Sequence, residues 1–200
     1  MLKPFHQNTF PEAGCDEAGR GCMAGPVFAA AVILPLDFSD PLLNDSKQIN
    51  EKTRYALRKT IQSVAISWAV ASVDVEEIDK INILNAAIKA MHLALAKLKP
   101  SPGFIIVDGN RFKPFGKTPH ETIIKGDGTY ASIAAASILA KTYRDDYMLE
   151  QHDQFPEYQW IKNKGYGTMD HRLAMEKFGR CPLHRKSFQL RPLQLKLNVS

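Results

Sequence analysis

Hydrophobic positions along the chain fall into short runs and two periodicities. Residues 27–34 form an unbroken apolar run, opened by Gly25-Pro26 and stopped by Pro35, which predicts a buried strand. Asn50 is placed to N-cap a helix beginning at Glu51, with Leu57, Ile61 and Val64 on its inner side. Val64, Ile66, Trp68 and Val70 then alternate with Ala65, Ser67, Ala69 and Ala71. That pattern predicts a strand with one bulky and one small face, the small face covered by a closely packed element. Asp74 with Glu77 matches a capping box and opens one long helix, on which Leu84, Ile88, Met91, Leu95 and Leu98 recur until Pro100 and Pro102 stop it. Residues 104–107 and 122–124 are short apolar strands, and an Ala- and Ser-rich helix follows over about 130–152. A last helix runs from about Thr168 to Phe178 and ends at Gly179. Strands first, then strands alternating with helices, indicate a mixed α/β sheet. Beyond Pro182 the periodicity fades, so partial disorder is expected there, with a flexible tail from about residue 186.

Composition narrows the class. Two hundred residues with 44% hydrophobic and 24% charged content suit a single domain over 1–200 that needs no disulfide staple. Three cysteines without a CxxC pair point to a reducing compartment. Residues 1–10 lack an apolar signal-peptide core, and no apolar run is long enough to span a bilayer. The expectation is a cytoplasmic protein with no membrane partner. The net charge of +5 is unevenly spread: residues 159–200 carry nine Lys/Arg against two Asp/Glu, and residues 1–158 carry seventeen against nineteen. A basic, helical C-terminal region from about residue 155 suits a polyanion such as nucleic acid. It equally suits a solvated basic tail, and charge alone does not choose between them.

Four carboxylates change the picture. Asp16 and Glu17 lie in Gly14-Cys15-Asp16-Glu17-Ala18-Gly19, Asp108 closes an apolar strand, and Asp127 sits between two glycines. Strand ends in α/β sheets converge on a crevice. Carboxylates crowded there repel unless a cation neutralises them, and oxygen-only donors suit Mg²⁺ or Mn²⁺. No His/Cys set has zinc spacing. Consecutive strand residues face opposite ways, so Asp16 and Glu17 can share a site only at a strand end or irregularity, which Gly19 and Gly21 could supply. One Asp beside a Gly reads as a turn former. Four together, in a chain with a basic end, point to divalent-metal phosphoryl transfer.

The segment Asp16-Glu17-Ala18-Gly19-Arg20-Gly21, followed by Ala24-Gly25-Pro26-Val27, closely resembles the opening signature of the type 2 ribonuclease H (ribonuclease HII) family. The likeness continues in order through Asp45-Ser46-Lys47, Asp108-Gly109-Asn110, Lys125-Gly126-Asp127, the run Ala136-Ser137-Ile138-Leu139-Ala140-Lys141, and Gly165-Tyr166-Gly167-Thr168. This resemblance implies a ribonuclease H-like mixed sheet flanked by helices, with a small helical C-terminal part. It implies hydrolysis of the RNA strand of RNA–DNA hybrids and incision of duplex DNA 5′ of single ribonucleotides, leaving 3′-hydroxyl and 5′-phosphate ends. Asp16, Glu17, Asp108 and Asp127 would then be the catalytic carboxylates that bind Mg²⁺ or Mn²⁺, two ions during turnover. Gly19, Arg20 and Gly21 would sense the ribose 2′-hydroxyl, and Tyr166 would stack on the following sugar. Lys47, Ser137 and Lys141 would line the site or contact phosphate.

Three rivals fit less well. Type 3 ribonucleases H carry an extra N-terminal domain, whereas fifteen residues precede Asp16 here. Type 1 enzymes lack the Asp-Glu-x-Gly-Arg-Gly opening. A non-catalytic hybrid-binding protein on this scaffold would be expected to have lost a carboxylate. Among other residues, His171 is expected in a solvated or capping role rather than on phosphate, and Cys15 as a small buried hydrophobe. Lys162 and Lys164 read equally as phosphate contacts or surface lysines. Gln194-Leu195-Lys196-Leu197 resembles the start of peptides that dock on bacterial sliding clamps, with Asn198 where the closing aromatic would stand. A monomer is expected.

Overall fold

The strand that sets the architecture is β1 (Glu12–Ala18), whose sequence shows no apolar alternation. In this computed structural model, which describes residues 2–7 and 9–189, β1 pairs antiparallel with β2 (Val27–Ile33) and parallel with β4 (Phe104–Asp108). β3 (Ser67–Val73) lies antiparallel outside β2, and β5 (His120–Ile123) lies parallel outside β4. The sheet order is therefore β3-β2-β1-β4-β5.

Two helical layers cover the sheet. Helices α2 (Val75–Ile81) and α3 (Ile83–Leu95) bury Ala86, Ala87, Ala90 and Ala94 against Cys15, Ala29, Ala31, Ala69 and Ala71. Small side chains on both surfaces permit the close packing expected for the small face of β3. On the other face, α1 (Glu51–Val64) and α4 (Ala131–Gln154) pack through Leu57, Ile61, Ala134, Ala135, Ile138 and Leu139 onto Ala30 and Val32. Past α4 come the short α5 (Trp160–Asn163) and α6 (Met169–Phe178), the latter capped by the Thr168 side chain. Among the described residues no helix is long and apolar enough to cross a membrane.

Several expectations need correction. The long helix after Asp74 is two helices, because Asn82 adopts φ 66° and caps α3 by accepting from the Leu84 and Asn85 amides. Asparagine tolerates this conformation and caps well, so apolar periodicity runs through a real break. Val64 ends α1 and is 37% exposed instead of facing inward, and β3 starts only at Ser67. Residues 183–188 are not loose: His184 and Arg185 are buried, and Phe188 packs on the α3 side of the sheet and on the C-terminal cluster. Gln194, Leu195, Lys196 and Leu197 lie outside the described residues.

Gly14 governs the approach of α4. A Cβ there would sit 2.3 Å from the Ser132 carbonyl carbon, which is backbone and cannot step aside. Gly14→Ala is expected to push α4 off β1 and lower stability by at least about 2 kcal/mol. Urea unfolding of the purified variant checks this, and an unchanged midpoint would contradict it.

Candidate active site

The cleft forms where β1 and β4 end. A cavity of about 310 Å³ is lined by Asp16, Glu17, Ala18, Gly19, Arg20, Gly21, Ser46, Lys47, Asp108, Ser137, Lys141 and Tyr166. β1 stops at Ala18 and Gly19 turns the chain at φ +97°, so two consecutive carboxylates reach one cavity despite strand alternation. Asp127 is not in that lining. It lies beside it, 3.7 Å from the Lys47 ammonium, in a turn whose Gly126 amide donates to Asp108 Oδ1 at 2.8 Å. Size alone does not locate the chemistry: a hollow of about 700 Å³ against α2 and α3, walled by Lys80, Ile88, His92 and Lys113, gathers no carboxylate.

The acids are held from several sides. Asp16, 5% exposed, accepts the Glu17 amide at 2.7 Å and a hydrogen bond from Ser137, whose hydroxyl also meets that of Ser46 at 2.9 Å. Glu17 pairs with Arg20 at 3.1 Å. Lys141 is bound through its ammonium to Asp145, one turn further along α4. Burial, followed by the charges of Glu17 and Asp108, holds Asp16 well above the usual carboxylate range. Burial also raises Glu17, against the opposing Arg20 charge. Asp127 is raised by burial and then by Asp108 and Asp45, with Lys47 opposing. Burial disfavours charge on Lys47, but Asp127, Asp45, Asp16 and Asp108 outweigh it and its pKa is raised.

Asp16, Glu17 and Asp127 resist ionisation, chiefly through burial, and the carboxylates offer only oxygen as ligand atoms. Those properties fit a hard divalent cation. Among the described residues no three His, Cys, Asp or Glu side chains come together as a group that could by itself hold a metal ion. Asp16, Glu17 and Asp108 line the cleft and Asp127 flanks it, an open arrangement suited to an ion that keeps water ligands and shares substrate phosphate oxygens.

Gly21 and Tyr166 stand at the cleft's rim. Nothing lies within 4 Å of a Cβ built on Gly21, so the backbone there is bare. Tyr166, 42% exposed, bridges to Cys22 across the Gly165 turn, with the Arg144 guanidinium 5.9 Å from its ring centroid. Burial first, then Cys22, pushes its hydroxyl up to about 12, so it remains neutral. Cys15 is fully buried and its thiol is pushed up by burial and by Asp16, as expected for a small hydrophobe.

With the geometry established, relatives identify the chain. Residues 13–191 match the family model described as Ribonuclease HII. The chain belongs to the ribonuclease HII family. The ribonuclease HII of Bacteroides fragilis is 60% identical over 190 residues, spanning 95% of this chain and 94% of that protein. That of Christiangramia forsetii is 60% identical over 194 residues, spanning 97% and 98%. The solved PCNA:RNase HII complex from Archaeoglobus fulgidus matches with a TM-score of 0.76 at 25% identity, over 91% of this chain and 96% of that one. The ribonuclease H-like fold and a divalent-metal-dependent hydrolase acting on phosphodiester bonds follow from this membership.

Sequence reasoning missed Ser46, Asp145, Arg144 and Arg185 as parts of this neighbourhood. One signal was present: Ser137, Lys141, Arg144 and Met148 recur at helical spacing on one face of α4. Arg185 had none. His171 is fully buried, contrary to the expected solvated or capping role. Cys181 N–H donates to His184 Nδ1 at 3.0 Å, leaving His184 Nε2–H to donate to His171 Nε2 at 3.1 Å. His171 Nε2 also accepts from Trp160, so its Nδ1–H donates to the Tyr166 carbonyl at 2.9 Å. Both rings must be neutral for this chain of bonds.

Burial, then the neighbouring His171, lowers His184 from 6.5 to about 4. The unfolded chain therefore binds the extra proton first, and the contribution to stability is full above pH 6.5 and lost as pH falls through about 4. It amounts to about 3 kcal/mol. Urea unfolding across pH 4 to 7, taken as the difference from a His184→Gln variant, should show this slope; parallel curves would refute it.

Proposed function

We propose that this chain hydrolyses the RNA strand of RNA–DNA hybrids and nicks duplex DNA 5′ of a single embedded ribonucleotide, leaving 3′-hydroxyl and 5′-phosphate ends. The observation that carries the reading is the adjacency of a carboxylate cleft, a Gly-Arg-Gly loop bare at Gly21 and a half-exposed tyrosine in one ribonuclease HII family member. Asp16, Glu17, Asp108 and Asp127 are the groups that would hold Mg²⁺ or Mn²⁺, two ions during turnover, which when bound activate water and stabilise the leaving oxygen.

The chain's own groups supply orientation and selectivity. Glu17 N–H and Ser137 fix the Asp16 carboxylate, and the Gly126 amide fixes one oxygen of Asp108. Lys141, with Asp145 behind it, presents a fixed cation to the cleft as a phosphate contact. Arg20 and Lys47 pair with cleft carboxylates from exposed positions, 53% and 81% accessible, within reach of a bound backbone. The Gly19-Arg20-Gly21 main chain offers N–H and C=O groups to a 2′-hydroxyl, the group that distinguishes RNA from DNA. Tyr166 gives the next sugar a flat apolar platform. Contact of Gln194-Leu195-Lys196-Leu197 with a sliding clamp extends this reading, and a pull-down of purified clamp with the tail peptide against a scrambled control tests it.

The direct experiment uses a labelled duplex with one ribonucleotide, in Mg²⁺ or Mn²⁺, beside an all-DNA duplex. One nick 5′ of the ribonucleotide, absent from the all-DNA control and abolished by EDTA, is expected. Asp108→Asn should slow the nick by more than about a hundredfold while duplex binding stays within about threefold. Intact substrate with both metals, from folded protein, would leave a hybrid-binding module as the surviving account.

A further inference from the structure

We propose that Arg144 and Arg185 are positioning residues that lock the Gly19-Arg20-Gly21 backbone against Tyr166 and thereby set selectivity for an isolated ribonucleotide. The inference deepens the reading above and rests on it.

Both guanidiniums are fully enclosed, at 1% and 0% exposure. Among the described residues neither has a carboxylate within ion-pair distance. Their N–H groups go to main-chain carbonyls instead. Arg144 donates from Nε to Pro26 at 3.2 Å, from Nη2 to Ala24 at 3.0 Å and from Nη1 to Lys164 at 2.9 Å. Arg185 donates from Nε and Nη2 to Gly25 at 3.0 and 2.8 Å, and from Nη1 to the carbonyl of Arg20 at 3.0 Å. One fork thus reaches into the Gly-Arg-Gly loop itself. The other joins Ala24 and Pro26, just past that loop, to the residue two before Tyr166.

Attachment alone does not explain such groups. A backbone ladder already ties the segments together: Met23 N–H donates to Gly165 at 2.8 Å, Gly25 N–H to Leu183 at 2.8 Å and Arg185 N–H to Met23 at 2.9 Å. Burying a charge without a counter-charge is costly, and neutral side chains could fill the same space. What a guanidinium adds is a rigid planar set of donors that fixes several carbonyls in one geometry. The Arg144 side chain also occupies the space of a Gly19 Cβ, whose ideal position is 2.1 Å from Nε, so the loop rests directly on it.

Substrates separate positioning from attachment. A duplex with one ribonucleotide offers a single 2′-hydroxyl, whereas a long hybrid offers one at every RNA nucleotide and tolerates a displaced loop by shifting register. Arg185→Lys keeps the charge and loses the fork. Its cleavage of the single-ribonucleotide duplex is expected to fall about tenfold or more relative to its own cleavage of a long hybrid. Tyr158→Phe, which removes the hydroxyl that donates to the Gly179 carbonyl in the C-terminal part without touching the loop or either arginine, should lower the melting temperature and leave that ratio within twofold. Equal losses on both substrates in Arg185→Lys, or an equal ratio change in Tyr158→Phe, would overturn the proposal. Should Arg185→Lys fail to fold, native-state hydrogen exchange of the unaltered protein decides. The Met23, Gly25 and Arg185 amides are expected to open as one unit, and independent, faster opening of the loop amides overturns it. Failure of the unaltered protein to nick the single-ribonucleotide duplex counts instead against the proposed function.

Discussion

The contact of α4 with β1 is the constraint on which the remainder rests. It begins at Gly14, where only a missing side chain lets the Ser132 backbone come so near. From that point the helix follows the strand outward. Ser137 bonds to Asp16, Lys141 lines the cleft, Arg144 lies under Gly19, and Met148 fills the space beside Gly25. Elements far apart in sequence are thereby referred to one rigid rod of 24 residues. Its Ala-rich face, buried with Leu57, Ile61, Ala30 and Val32, supplies the apolar packing that offsets crowding like charges at its edge.

Cations are distributed so that the cleft acids keep ligand capacity. Lys141 is directed to Asp145, and Arg144 and Arg185 are directed to carbonyls. Among the described residues only the exposed Arg20 and Lys47 pair with the site's carboxylates, and long exposed side chains are easily displaced. The buried Asp16 therefore has no cation bonded to it, Glu17 and Asp127 have only displaceable ones, and the surrounding frame is firmly bonded. That is the electrostatic condition a hard cation and a phosphate backbone jointly satisfy.

The fold was partly legible because apolar runs report burial on both faces. β2 and β4 announced themselves in this way, α1 through its cap and periodicity, α4 through its Ala and Ser content, and α6 through its Gly179 stop. β1 did not, since the face toward α4 carries Gly14 and Asp16 where a strand pattern would need bulky residues. The break at Asn82 was hidden by an apolar stripe that continues across it. Of the cleft, the carboxylates could be read from their strand-end positions, while the roles of Gly19, Arg20, Gly21 and Tyr166 came only through family resemblance. His171 was expected in a solvated or capping role, and His184, Arg144 and Arg185 were not singled out, because local sequence cannot reveal partners 13 to 165 residues away. Each is buried only because hydrogen bonds replace the water it gives up.

The two glycines flanking Arg20 illustrate how differently one residue type can serve a site. Gly19 has φ +97°, and a Cβ on it would overlap the Arg144 side chain, so the protein's own packing requires glycine there. Gly21 has nothing within 4 Å of where a Cβ would be. Among the described residues no neighbour accounts for its bareness, and it lies on the cleft wall beside Arg20 and Tyr166. The internal glycine seats the loop on its support. In the proposed function the external one leaves main-chain groups uncovered for a small hydroxyl. Rigidity from one and access from the other are both needed if a backbone is to distinguish a sugar by one oxygen atom.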